Sequence, residues 1–424
     1  MTLLEFLDQA VNEYFASREI VKILQENHFQ ELKLSEKWNL KPQTNYYLVI
    51  DETSVIAFKM GQKCPLNEEL PHFQIMASHL DSPVLKLKPN AIINQGTYAK
   101  LNTEVYGGPI LYTWFDKPLG LAGRVMVKED DKIITKLVKT DHPLAIIPTA
   151  PIHLKHDMTQ NPQKDLLALL ALENVDDVLS VIAKEFKIDK AKIVSFDLNL
   201  YNFTKATTLG LNQEFIASAR IDNLECAYST LQGFLQADAK EHINVYVSFH
   251  NEEVGSLSKQ GADSTILKDV LLKIIGDPVK LIASLARSFI VSCDNAHAYH
   301  PNYPELYDPT NMVAMNQGIV LKHNYAMRYT TDALSEAVVT EILKKENLAF
   351  QHYTNRSDIR GGSTLGAIST SHLSIPSADI GLAQLAMHST YELAGGKDYS
   401  DLIRFAAAFY KKNIIIDKFL KIEE

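Results

Sequence analysis

The stretch Phe249-His-Asn-Glu-Glu-Val-Gly-Ser256 puts two adjacent carboxylates, Glu252 and Glu253, just after an apolar run from Ile243 to Phe249. That run is rich in Val, Tyr and Phe and is expected to be a buried strand. Neighbouring carboxylates repel, so a pair at the end of a buried strand calls for a positive partner. A metal ion is one candidate: one acid could bind it while the other stays free to move protons. A polar loop after a strand is the plainer reading. Other strong ligand types also sit just past apolar segments: His79 and Asp81 in Gln74-Ile-Met-Ala-Ser-His-Leu-Asp81, then Asp222, Asp294 and His388. Two histidines with three or more carboxylates suit a pair of divalent ions of borderline hardness, zinc first, with manganese or cobalt as substitutes.

Each residue taken singly has a plainer role. His79 could be a satisfied strand-end histidine, Asp222 an ordinary helix N-cap, and Asp294 a turn cap, with His297 and His300 on a loop surface. Together, at strand ends in an α/β pattern, they are harder to dismiss, because ligands of open α/β sheets bind outside the carboxyl ends of the strands. Rival chemistries lack their motifs. The sequence holds no His-Glu-x-x-His, no Cys-x-x-Cys, no Gly-x-Ser-x-Gly elbow at 361–366 and no P-loop.

The elements that must position these residues follow from periodicity. Apolar spacing of three and four predicts a helix over residues 3–28. Strands are expected at Tyr46–Ile50, Ser54–Met60 and Phe73–Ser78. From about Asn90 to Leu209 short β-like segments alternate with turns, at Tyr106–Phe115, Gly120–Val127 and Lys132–Val138, and a Leu/Ala-rich helix is expected over 165–185. This region reads as a mainly β domain inserted into another. After Asn212 an α/β rhythm follows: a helix near 223–237, the 243–249 strand, a helix at Asp277–Ala286, a strand at Phe289–Cys293, a helix near 331–346, a strand at Ala349–Tyr353, a glycine loop at 360–366, a segment Asp379–Met387 ending in His388, and a last helix from Tyr399 to Lys411. The expected domains are 1–90 and 210–424 for one α/β unit and 91–209 for the insert.

The chain has 424 residues, 46% hydrophobic and 22% charged, which describes a globular protein too long for one ordinary core. A net charge of -9 without a basic run argues against nucleic acid as a partner. The mid-chain apolar run Leu166 to Leu172 is far too short to span a bilayer. Three spaced cysteines, Cys64, Cys226 and Cys293, and an acidic N-terminus point to the reducing cytoplasm without a signal peptide.

In chain order, Ala77-Ser-His-Leu-Asp-Ser-Pro83, Tyr106-Gly-Gly-Pro, Thr113-Trp-Phe-Asp116, Leu121-Ala-Gly-Arg-Val125, Ala219-Arg-Ile-Asp-Asn223, His250-Asn-Glu-Glu-Val-Gly-Ser256, Asp294-Asn-Ala-His-Ala-Tyr-His-Pro-Asn-Tyr303, Gly361-Gly-Ser-Thr-Leu-Gly366 and Leu385-Ala-Met-His-Ser389 resemble the aspartyl aminopeptidase family of dinuclear zinc metallopeptidases. The likeness covers nearly the whole chain. It implies an α/β, mixed-sheet catalytic domain with helices on both faces and an inserted dimerisation domain. It further implies two Zn2+ per subunit: His79, Asp222 and Asp294 on one, Asp222, Glu253 and His388 on the other. Asp81 would orient the His79 imidazole and Glu252 would be the catalytic acid/base. Ile147-Pro-Thr-Ala-Pro-Ile-His-Leu154 resembles a segment that sends a histidine, here His153, into a partner's active site. Gly318-Ile-Val-Leu-Lys-His-Asn324 resembles one whose lysine, here Lys322, faces an acidic substrate side chain; alone it would read as a solvated surface lysine.

The resemblance thus implies peptide substrates, removal of N-terminal Asp or Glu, and self-association to dimers and a dodecamer. Two departures stand out. Family members often carry Pro-Phe-His where this chain reads Glu13-Tyr-Phe-Ala-Ser-Arg18. The loop Asn355-Arg-Ser-Asp-Ile-Arg-Gly-Gly is a form associated with some bacterial members, for which a broader preference is expected. A neutral-residue aminopeptidase or another metallohydrolase of the fold is the nearest alternative. A self-assembling cargo or structural protein without catalysis is the alternative from another class.

Overall fold

The loops that carry His79, the Glu252–Glu253 pair and Asp294 leave one end of a nine-stranded mixed sheet. In this computed structural model the described residues are 1–61, 70–156, 159–238, 241–359, 361–362, 364–416 and 420–423. Across the sheet the strands run Gln30–Glu31, Asn45–Ile50, Ser54–Lys59, Ile243–Phe249, Phe73–His79, Phe289–Cys293, Ser377–Gly381, Ile319–His323 and Phe350–Thr354. The four from Ile243–Phe249 to Ser377–Gly381 are mutually parallel, so their carboxyl ends share one edge. Every residue of these four strands is buried, which is why they read as near-continuous apolar runs rather than alternating ones.

Helices cover both faces. One face packs Phe6, Tyr228, Phe234, Val338 and Phe405 against Met76, Tyr246 and Val291. The other packs Ile266, Val270, Leu281 and Leu365 against Ile75, Val245 and Val247. Alternate strand residues enter opposite cores because strand side chains have a period of two. Each fully buried large apolar side chain contributes about 1.5–3 kcal/mol of transfer free energy.

A separate six-stranded antiparallel sheet runs Lys132–Lys139, Leu119–Glu129, Ile193–Asn202, Val84–Gln95, Tyr98–Tyr106 and Ala168–Ala171. It has its own core around Leu85, Leu121, Ile182 and Leu200. The expected boundary at 90/91 falls inside the Val84–Gln95 strand. The strand Thr207–Leu209, expected in the insert, pairs with Phe215–Ser218 in a five-stranded sheet that also holds Glu392–Gly395, Ala383–Leu385 and Ala296–His297. That smaller sheet carries the approaches to Asp222 and His388 and the strand just past Asp294.

Three expected elements differ. The helix over 3–28 is two helices, Leu3–Gln9 and Glu13–Glu26. Asn12 caps the second by accepting the Phe15 amide at 3.1 Å, and its preference for that role outweighs the continuous apolar face. The helix over 165–185 is instead a short turn at Pro162–Asp165, a strand Ala168–Ala171 and a helix Val178–Phe186 capped by Asp177. Composition alone did not separate a buried strand from a helix there. The β-like segment Tyr106–Phe115 ends its strand at Tyr106 and becomes a 3-10 turn at Leu111–Trp114. Cys64, Arg360 and Ser363 lie outside the described residues; Cys226 and Cys293 are buried free thiols.

Candidate metal centre

His79 ends its strand with Nδ1 in a hydrogen bond and Nε2 among carboxylates. Its Nδ1 donates to the Asp81 carbonyl at 3.0 Å. Its Nε2 therefore faces inward, 3.4 Å from Asp222 Oδ1 and 3.5 Å from Asp294 Oδ1. His388 repeats the device: Nδ1 meets the Gly108 carbonyl at 3.0 Å, and Nε2 lies 3.4 Å from both Asp222 Oδ2 and Glu253 Oε2. Asp222 thus offers one oxygen to each histidine. Its backbone is non-helical and its side chain makes no cap, so the N-cap role does not hold.

Glu252 and Glu253 form a 3-10 turn entered through Asn251 in the left-handed region, at φ 66. Asp81 holds this turn. Its carboxylate accepts the Glu252 and Glu253 amides, each at 3.1 Å, and the Tyr106 hydroxyl at 2.7 Å. It lies 3.6 Å from His79 Nδ1, so it touches the imidazole less closely than its own carbonyl does. Gly107, at φ 73, fits here because a Cβ would stand 3.1 Å from the Glu253 Cβ.

The charges explain the protonation. Burial disfavours charge on His79, but Asp222, Asp294 and Asp81 outweigh it and raise the imidazole well above its ordinary value. His388 is likewise raised to about 10 against its burial, by Asp222 and Glu253. Burial and neighbouring acids push Glu252 up to about 8, and Glu253 well above the carboxylate range. Asp222 is held low, its burial outweighed by the two imidazoles. The cluster has a deficit of positive charge, and Asp222 Oδ1 and Glu253 Oε1 are buried without a hydrogen-bond partner.

This donor set fits divalent ions. Ligands 2.0–2.1 Å from a tetrahedral zinc stand roughly 3.3 Å apart, close to the observed spacings. The Nδ1–H bonds fix both tautomers with Nε2 free, the usual support behind metal-bound histidines. His79, Asp222 and Glu253 each bring one ligand atom within 4.8 Å of the others.

Lys322 is fully buried, so the surface reading fails. Its ammonium donates to the carbonyls of Asp294 at 2.7 Å and Asn295 at 3.2 Å and lies 3.6 Å from Asp294 Oδ2. Burial would lower it, yet Asp294, Tyr329 and Asp379 raise it. His153 lies on an exposed turn between Ile152 and Leu154, which are 69% and 83% exposed. Glu392 is a further member of the site. This buried acid accepts the Asp222 amide at 3.0 Å and the His388 amide at 2.7 Å, tying these two candidate ligands together. Its one sequence signal is an acid in the otherwise apolar Glu392–Gly395 strand, four residues past His388.

Residues 6–410 match the family described as aminopeptidase I zinc metalloprotease (M18). The chain is 41% identical to a probable M18 family aminopeptidase 2 of Clostridium novyi, over 96% of this chain and 97% of that one. It is 36% identical, over the same shares, to a protein so named in Pseudomonas entomophila. Among solved structures, the chain in the complex of Ape4 and Nbr1 superposes with a TM-score of 0.92 at 33% identity, covering 96% of this chain and 84% of that one. The S. cerevisiae mApe1 dodecamer shares the fold, with a TM-score of 0.84 at 24% identity and coverage of 96% and 95%. A largely buried two-histidine, multi-carboxylate cluster at the strand ends, in a chain matched over almost its full length, leads to one conclusion: this chain belongs to the M18 family of zinc metalloprotease aminopeptidases.

Proposed function

We propose that the chain releases N-terminal residues, with a preference for Asp and Glu, from peptides, and that Glu252 carries the proton of the reaction. One observation carries this reading: the adjacent acids divide. Glu253 has a side chain 4% exposed and turns toward His388, while Glu252 stays at the open edge, 13% exposed and 3.9 Å from His79 Nε2. His79, Asp222 and Asp294 would hold one divalent ion and Asp222, Glu253 and His388 another, with Asp222 shared. When bound, such a pair supplies a water acidic enough to ionise near neutral pH and positive charge for an oxyanion.

Glu252, its proton affinity lifted by burial and neighbouring acids, accepts a proton from the attacking water and passes it to the leaving nitrogen. Asp81 holds the turn that sets Glu252 and Glu253 apart. Lys322 brings a buried cation to the floor of the site and fixes Asp294. A cavity of about 350 Å³, lined by His297, Tyr353, Asn355 and Arg356 among others, gives room for a substrate side chain.

We assign the six-stranded unit to dimerisation, with His153 serving a partner's site. The apolar, exposed Tyr112, Ile152 and Leu154 support this, since such patches mark contact surfaces. A dodecamer is the proposed end state, as in the S. cerevisiae protein of this fold. The buried thiols Cys226 and Cys293 support a reducing, cytoplasmic setting. Among the described residues no helix is long and apolar enough to cross a membrane.

The test is kcat/KM on Asp-, Glu- and Leu-p-nitroanilides, for the wild type and Lys322→Met. We expect Asp and Glu to exceed Leu, and the variant to lose Asp and Glu turnover more than Leu turnover. Strong Leu release without Asp or Glu release refutes the preference. The engagement of the Lys322 ammonium by two carbonyls favours that broader, neutral-residue reading as the runner-up.

A further inference from the structure

Away from the catalytic cluster, a second set of ligating side chains converges at the edge of the nine-stranded sheet. His323 ends the strand Ile319–His323, and His352 lies in the edge strand Phe350–Thr354. Glu336 belongs to the first turn of the helix Ala333–Lys345. The strands pair in parallel with Leu321 opposite His352 and His323 opposite Thr354. His323 and His352 therefore share one face of the sheet, and Lys322 and Tyr353 share the other.

The donor atoms meet. His323 Nε2 is 3.2 Å from His352 Nδ1, and the same Nδ1 is 3.7 Å from Glu336 Oε1. One ligand atom from each residue lies within 4.8 Å of the other two. The Phe350 ring stands edge-on to His352 at 5.7 Å and 79°, which limits the rotation of that imidazole. Two neutral ring nitrogens facing each other repel through their lone pairs, so a proton or a cation belongs between them. Ligands on a tetrahedral zinc stand roughly 3.3 Å apart, and the two spacings at His352 Nδ1, 3.2 and 3.7 Å, lie close to that, with the third pair inside 4.8 Å.

We propose that His323, His352 and Glu336 form a mononuclear site for a divalent transition ion of the zinc class, separate from the catalytic cluster. Two imidazoles and one carboxylate select zinc, nickel or copper over magnesium or calcium, which prefer all-oxygen shells. With three protein ligands, the ion keeps a position open to water. Occupancy joins the edge strand, its neighbour and the helix, and so braces the strand that presents Lys322 to Asp294 from the opposite face.

The experiment is equilibrium dialysis of the full chain against Zn2+ alone, followed by elemental analysis. Wild type, His323→Ala and His352→Ala are compared at about 10 µM free zinc. We expect the wild type to hold one equivalent more than either variant, and both variants to retain peptide hydrolysis, which also reports folding. Glu336→Gln, on the helix surface, serves as a second variant and should weaken that one equivalent at least about tenfold. Excess Mg2+ should not displace it. Equal zinc content in the wild type and both histidine variants overturns the proposal and leaves a proton-sharing histidine pair. Undiminished zinc affinity in Glu336→Gln also counts against it. The readout is a difference between chains, so it stands whether or not the catalytic cluster loads as proposed above.

Discussion

Asp81→Asn isolates the support of the Glu252–Glu253 turn from the proposed metal ligands themselves. In the wild type one Asp81 oxygen accepts the Glu252 amide, and the other accepts the Glu253 amide and the Tyr106 hydroxyl. The carboxylate sits well below its ordinary range: burial opposes ionisation, but His79, His250 and Tyr106 outweigh it. An asparagine keeps one acceptor oxygen and turns an NH2 toward a backbone N–H. That loses a hydrogen bond to a charged group, about 1.5–3 kcal/mol, and leaves a buried donor unpaired, about 1–3 kcal/mol. If roughly 3–4 kcal/mol appears as misplacement of Glu252, kcat falls about 10²–10³-fold, at about 1.36 kcal/mol per decade. The assay is kcat at saturating zinc, with zinc content and a melting curve on the same sample. We expect the loss in kcat with the fold intact, and weaker zinc retention because Glu253 rides on the same turn. Turnover within about threefold of wild type at full metal load would refute the positioning argument.

Glu252→Gln keeps size and hydrogen bonding but holds no transferable proton, so activity should fall by at least about 10²-fold with zinc content unchanged; unaltered activity ends the proposed mechanism. His153→Ala should lower turnover and leave metal content alone, and a loss of metal would make it a ligand instead of a residue serving a neighbouring subunit. Burial pushes Glu225 up to about 8 against its hydrogen bond from Asn295. The folded chain then keeps a proton that the unfolded chain releases near pH 4.5, so stability falls as pH rises from about 4.5 to 8, by an order of a few kcal/mol, and is flat above. Glu225→Gln removes that slope, so its melting temperature should gain on wild type between pH 5 and 8; parallel curves would contradict the sign.

The candidate cluster was legible in part because His79, the Glu252–Glu253 pair and Asp294 follow apolar runs that are parallel central strands buried on both faces, whereas Asp222 and His388 follow short antiparallel strands of the smaller sheet. His79, Glu252, Glu253 and Asp294 therefore read as sharing one sheet edge from the sequence alone. What holds them was less visible. Asp81 acts mainly through backbone amides, and Glu392 through the amides of Asp222 and His388, contacts with no spacing signature in the chain. Lys322 read as a surface lysine on its own, because burial of a lysine depends on partners brought from residues 294 and 295. The breaks in the helices expected over 3–28 and 165–185 are hidden for a simpler reason: a cap such as Asn12 or Asp177 ends or starts a helix without disturbing the apolar pattern around it.

The central claim is that Asp222 stands between two ions, with His79 and Asp294 on one side and Glu253 and His388 on the other. Anomalous diffraction at the zinc edge, from crystals grown with zinc, tests it most directly. We expect two peaks flanking the Asp222 carboxylate, each within bonding distance of one of its oxygens. A single peak there, or peaks that leave Asp222 or either histidine unbound, would contradict it.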